Sequence, residues 1–119
     1  DCVYVEDVAR AFVAALEYTA QRGPTERPVE VGPLTSVTGN DIARLVAEQA
    51  AILTDREPVG ITHLPMRPGE VPNAIVTSDT DTLKQVGLDA ADFVPLDEGI
   101  RRTVDYYAST WLPGYMAAV

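Results

Sequence analysis

An arginine and a glutamate stand three positions apart in Arg67-Pro68-Gly69-Glu70, with a proline and a glycine between them. Proline fixes its own φ and glycine accepts conformations that other residues avoid, so the pair is expected on an ordered turn or extended loop. Arginine presents a planar fork of donors that suits a phosphate or a carboxylate. Glutamate accepts hydrogen bonds from sugar hydroxyls. Together they can act as a two-pronged grip on a ligand that carries both groups. The alternative reading of the same residues is an ion pair on a solvated loop, worth little to stability.

No other residues assemble a reaction centre. His63 is the single histidine, in the alternating run Ile61-Thr62-His63-Leu64, and is expected on a partly exposed strand. Cys2 is the single cysteine, which excludes an intrachain disulfide and a multi-cysteine metal site. It lies in an apolar run and is expected to be buried as a small hydrophobe. Together, one histidine and one cysteine are too few ligands for zinc. Lys84 sits in an ordinary amphipathic helix, and no tyrosine has a lysine four residues later. A glycine-rich turn of the kind that admits a dinucleotide's pyrophosphate is absent. The sequence therefore assigns no catalytic, cofactor-binding or metal residues within these 119 positions.

Bulk properties narrow the class. The length fits one domain, here residues 1–119, and 46% hydrophobic residues is a globular value. With 9 basic against 18 acidic residues, the net charge is −9, which argues against nucleic acid as a partner. One well-placed arginine can still hold one phosphate-bearing small molecule. There is no apolar run of membrane-spanning length, so no membrane association is expected. The chain opens on Asp1 with no charged-then-apolar leader, so it is expected to be a cut piece without a signal peptide. One cysteine fits a cytoplasmic origin.

The elements expected to carry the grip alternate. Strands are expected at Cys2 to Val5, Val29 to Gly32, Thr35 to Val37, Ile61 to Leu64 and Ala74 to Thr77. Helices are expected from Glu6 to about Tyr18, with Val8, Phe12, Ala15 and Leu16 inward, and from Asn40 to about Ile52 behind a capping-box-like pair, Thr38 and Asp41. A short helix capped by Ser78 or Asp79 should end near Val86 at Gly87. A last helix should run from Leu96 to Trp111 and stop at Pro113-Gly114. The expected fold class is α/β, a small mixed domain with short strands and about four helices.

Five short motifs, in order, carry a resemblance. They are Asp1-Cys2-Val3-Tyr4-Val5-Glu6-Asp7-Val8-Ala9, Val31-Gly32, Thr38-Gly39-Asn40-Asp41-Ile42-Ala43, Arg67-Pro68-Gly69-Glu70 and Leu96-Asp97-Glu98-Gly99-Ile100. The chain resembles the C-terminal portion of an extended short-chain dehydrogenase/reductase, in the NAD-dependent epimerase/dehydratase family that acts on nucleotide sugars. The resemblance runs to about Tyr107. It implies the substrate-binding part of a Rossmann-type enzyme, an isomerase or oxidoreductase, whose absent N-terminal Rossmann portion holds NAD and the tyrosine–lysine pair. It implies that Arg67 binds the diphosphate of a UDP- or dTDP-sugar and that Glu70 hydrogen-bonds its ribose. A second arginine of that clamp would lie just upstream of Asp1. The same resemblance gives Asp7 a structural place at a helix start and Asp79 a capping one.

Two other readings stay open. One is a related reductase acting on a non-nucleotide substrate, with Arg67 and Glu70 structural. The other is a stand-alone, non-catalytic binding module. In the family the Val29 to Val31 segment joins a larger parallel sheet. As an isolated piece the chain would leave an edge there, to be covered by the N-terminal portion or by a second copy in a homodimer.

Overall fold

The structure is a computed structural model that describes residues 2–72 and 74–117, so Asp1 of the first motif lies outside the described residues. Among them every regular element is helical. The elements are α1 (Val5–Arg22), α2 (Gly39–Thr54), α3 (Leu96–Tyr106) and α4 (Leu112–Ala117), with 3-10 turns at Thr80–Val86 and Ala90–Asp92 and a π turn at Tyr107–Trp111. The expected α/β fold with short strands is corrected to an all-helical one. Val5 opens α1, and the other residues expected in strands form no ladder. Strand propensity describes fit to a half-buried pleated surface, and it acts only where a neighbouring strand is present. Without that neighbour, backbone groups find other partners. Glu30 shows this well: its N–H donates to Thr82 Oγ1 at 2.8 Å, and its Oε2 accepts from the Asp79 N–H at 2.9 Å.

The chain divides into two compact units, Asp1–Ser36 with Asn73–Leu96 and Val37–Pro72 with Asp97–Val119. In the first, Leu83 is fully buried with Ala11 and Ala90, and Val29, Val31, Leu88 and Phe93 pack around them. Here α1 is rotated from the expected orientation, with Val8 and Ala15 half-buried as expected and Phe12 and Leu16 turned out. Its small face goes inward through Ala11 and Asp7, while Phe12 and Leu16 are 74% and 70% exposed. The small side chains let α1 pack against the Thr80–Val86 turn. Asp79 does not cap that turn with its side chain; its Oδ2 instead pairs with Arg27 at 2.6 Å. Gly87 ends the turn in the left-handed region at φ 78°, the expected glycine role. Gly32 lies so close to Ser78 that an added Cβ would overlap the serine's Oγ and Cβ.

In the second unit, α2 starts with a complete reciprocal cap. The Asp41 N–H donates to Thr38 Oγ1 at 3.2 Å, and Asp41 Oδ2 accepts from the Thr38 N–H at 3.1 Å. The Thr38 hydroxyl, together with its backbone N–H, holds the Asp41 carboxyl below its usual range. Asp in place of Glu or Gln therefore suffices for the box. The last helix does not stop at Pro113. The Leu112 N–H donates to Tyr107 O, five residues back, and helix resumes from Leu112. That wider turn puts Pro113 in the first turn of α4, where a missing N–H is tolerated. No helix among the described residues is long and apolar enough to cross a membrane.

Candidate functional site

Pro68 and Gly69 build the turn that the sequence suggests. The Glu70 N–H donates to Arg67 O at 3.1 Å, closing four residues, and Gly69 adopts φ 89°. Proline followed by a positive-φ glycine is the signature of a type II turn. Glu70 then folds back on Arg67. Its Oε2 accepts from the Arg67 N–H at 2.7 Å, and its Oε1 accepts from Arg67 Nε at 2.6 Å. The two prongs are thus joined into one bracket, as the ion-pair alternative anticipates. The bracket remains open outward: the Arg67 side chain is 86% exposed and that of Glu70 36%. Glu70 uses Nε and the backbone N–H only. The two terminal amino groups of the guanidinium make no hydrogen bond among the described residues. An arginine held through Nε keeps a paired edge of donors that matches two phosphate oxygens.

Residues 52–72 are exposed throughout, so no buried side chain holds the segment that carries this turn. His63 reaches out of it instead. Its Nε2 lies 3.1 Å from Oδ1 of Asn40, in the first turn of α2. This pairing spans 23 positions, and no spacing in the sequence announces it. In place of the strand that the alternating run suggests, His63 lies on a segment with no regular secondary structure.

The other candidates resolve into structural roles or none. Asp7 is buried, with one oxygen on Arg10 at 2.7 Å and the other accepting the Val94 N–H at 2.8 Å. Cys2, expected inside, is exposed. Lys84 pairs with Asp81 at 2.7 Å on the surface. No group of three or more metal-binding side chains occurs among the described residues. An open cleft of about 650 Å³ at the C-terminal end of α2 does not include Arg67 or Glu70. Its charged lining is Glu48, Asp55 and Glu57 against Arg56, a negative balance that suits a phosphate poorly.

The described residues do not fit NAD. A pyrophosphate cradle needs a strand, a glycine turn and open N–H groups at a helix start. Here α2, which opens at Gly39 behind Thr38, has its start closed by the Thr38–Asp41 box, and no strand among the described residues leads into it. No protein-family model, curated protein or solved structure matches the chain.

Proposed function

We propose that the Arg67–Glu70 bracket binds the diphosphate and ribose of a nucleotide sugar, a UDP- or dTDP-sugar. On this reading the chain is the substrate-binding portion of an NAD-dependent sugar-nucleotide epimerase or dehydratase. The observation that carries the reading is the Arg67 guanidinium, fixed through Nε by Glu70 and 86% exposed, with its terminal donors open. Arg67 takes two phosphate oxygens as a fork. Glu70 orients Arg67, and the second lone pair on each of its oxygens accepts from ribose hydroxyls. The bracket supplies binding energy and orientation remote from the reacting carbon. Hydride chemistry belongs to NAD, held by an N-terminal portion outside these residues. A cytoplasmic location, and pairing with a second copy when the chain is isolated, belong to the same proposal.

One observation favours a second reading, the related reductase with a non-nucleotide substrate: both Glu70 oxygens are already engaged by Arg67. Titration with UDP, UMP and uridine separates the two. The first reading expects binding that strengthens with the diphosphate and weakens roughly 10- to 100-fold in Arg67→Ala, the loss of a charge-assisted bond of about 1.5–3 kcal/mol. The second expects no preference for the diphosphate and no effect of the substitution.

A further inference from the structure

We infer that the His63–Asn40 hydrogen bond is the clasp that places the Arg67–Glu70 bracket, which makes His63 and Asn40 positioning residues for the anion site. The ligand arm of this inference rests on the function proposed above; the structural arm does not. Residues 52–72 are all exposed, and past the Asp55 and Arg56 N–H groups, which donate to Ala51 O where α2 ends, the His63–Asn40 contact is the hydrogen bond that ties them back to a helix among the described residues. Asn40 is a rigid anchor. It sits between Gly39 and Asp41 in the turn that the reciprocal Thr38–Asp41 box closes. Asn40 Oδ1 is an acceptor, so His63 Nε2 is the donor, and the ring is held by a directional bond.

The distances along the chain show what the clasp does. Arg67 lies twelve residues beyond Asp55, where α2 ends, but only four beyond His63. At about 3.3 Å per extended residue, the clasp holds the chain within roughly 13 Å of Arg67. Shortening the free segment from twelve residues to four restricts the bracket's positions about fivefold, from the weak length dependence of loop closure. A solvent-exposed hydrogen bond that is made or lost gives a similar factor, roughly 3- to 10-fold. A ligand that needs Arg67 in one place regains that factor in affinity.

The test combines amide hydrogen exchange at Glu70, the N–H that closes the turn, with UDP titration. The variants are His63→Ala, Asn40→Ala, the double variant, and His63→Gln, whose amide can donate as Nε2 does. The clasp predicts that each alanine variant speeds Glu70 exchange and weakens UDP by about 3- to 10-fold. It predicts that the double variant is no worse than either single one and that His63→Gln restores both readouts. The folding constant falls by no more than that same factor, roughly 3- to 10-fold, so the fold is kept throughout. An unprotected Glu70 amide in the unsubstituted chain, unchanged exchange in His63→Ala, additive single effects, or no rescue by glutamine each overturns the clasp. If Arg67→Ala abolishes UDP binding while His63→Ala and Asn40→Ala leave affinity and exchange alone, the clasp fails and the proposed function stands. If the unsubstituted chain binds no UDP, that function fails and the exchange readout alone decides the clasp.

Discussion

Two arginine–carboxylate pairs in this chain share one spacing and nearly one distance, and differ in where they sit and what else they hold. Arg10 meets Asp7 at 2.7 Å and Arg67 meets Glu70 at 2.6 Å, both three positions apart. The Asp7 side chain is 4% exposed, and that of Glu70 36%. The decisive difference is where the remaining bonds go. Asp7's other oxygen accepts the Val94 N–H, 87 positions away, and Arg10 also donates to Asp92 O and lies 5.5 Å from the centre of the Phe93 ring. Glu70's other oxygen returns to the Arg67 backbone. The first pair joins distant parts of the chain and is a tertiary crosslink. The second closes only on itself and leaves its cation turned over to solvent. Spacing and charge are the same; burial and second partners decide which pair holds the fold and which stays exposed.

The largest effect should come from breaking the crosslink. Asp7 is buried while Arg10 is half-exposed, so the cost falls on the carboxylate's two charge-assisted bonds, about 1.5–3 kcal/mol each, and Asp7→Ala should sharply lower the urea midpoint or prevent folding. Asp7→Asn keeps an acceptor for the Val94 N–H and should lose less than half of that. A change below about 1 kcal/mol in Asp7→Ala would erase the distinction between the two pairs. Next in size is Leu83→Ala, which opens a cavity at the fully buried centre of the same unit and should cost about 2–5 kcal/mol by the same measurement.

A third cluster sharpens the comparison from the exposed side. Glu98 accepts from Arg101 and Arg102 at 2.7 Å each, one turn along α3. Arg101 above all, then Arg102, lowers its carboxyl from 4.5 to about 2. A folded-state pKa below the unfolded one favours the folded state above the unfolded value, and that contribution is lost as the pH falls through the folded one. Its contribution is therefore complete above about pH 4.5 and gone below about pH 2. Carboxyl-carbon NMR titration should place the Glu98 midpoint near 2, and Arg101→Ala should move it upward. A midpoint near 4.5 in the unsubstituted chain would mean that local pairs of this kind leave no mark even on titration.

What the sequence revealed follows the same division between local and distant. The Thr38–Asp41 box, the glycine stop at Gly87 and the Pro68-Gly69 turn are local chemistry, readable within four residues, and all three form. The cores of α1 and α2 are also helical where periodicity put them, with ends displaced by one to four residues. Strands were not readable, because Val29 and Val31 carry strand propensity whatever lies beside them. Their neighbours here are the buried cluster around Leu83 and the Thr82 hydroxyl. The inward face of α1 departs from its hydrophobic pattern for a related reason. Hydrophobicity favours burying Phe12 and Leu16, whereas close packing against the Thr80–Val86 turn selects Ala11 and Asp7. At the site, Arg67 and Glu70 were legible as a pair on a turn. Their bond to each other is legible as the ion-pair alternative, and the His63–Asn40 contact is not, since it depends on side-chain geometry in three dimensions.

The most direct test of the contrast is calorimetric titration of UDP into the unsubstituted chain and into Arg67→Ala, with the urea midpoint of each recorded alongside. An open bracket predicts that Arg67→Ala weakens UDP roughly 10- to 100-fold. It also predicts that stability stays within about 0.5 kcal/mol. Equal UDP affinity in the two proteins, or a loss of stability as large as that of Asp7→Ala, would contradict it and make the Arg67–Glu70 pair another structural bond.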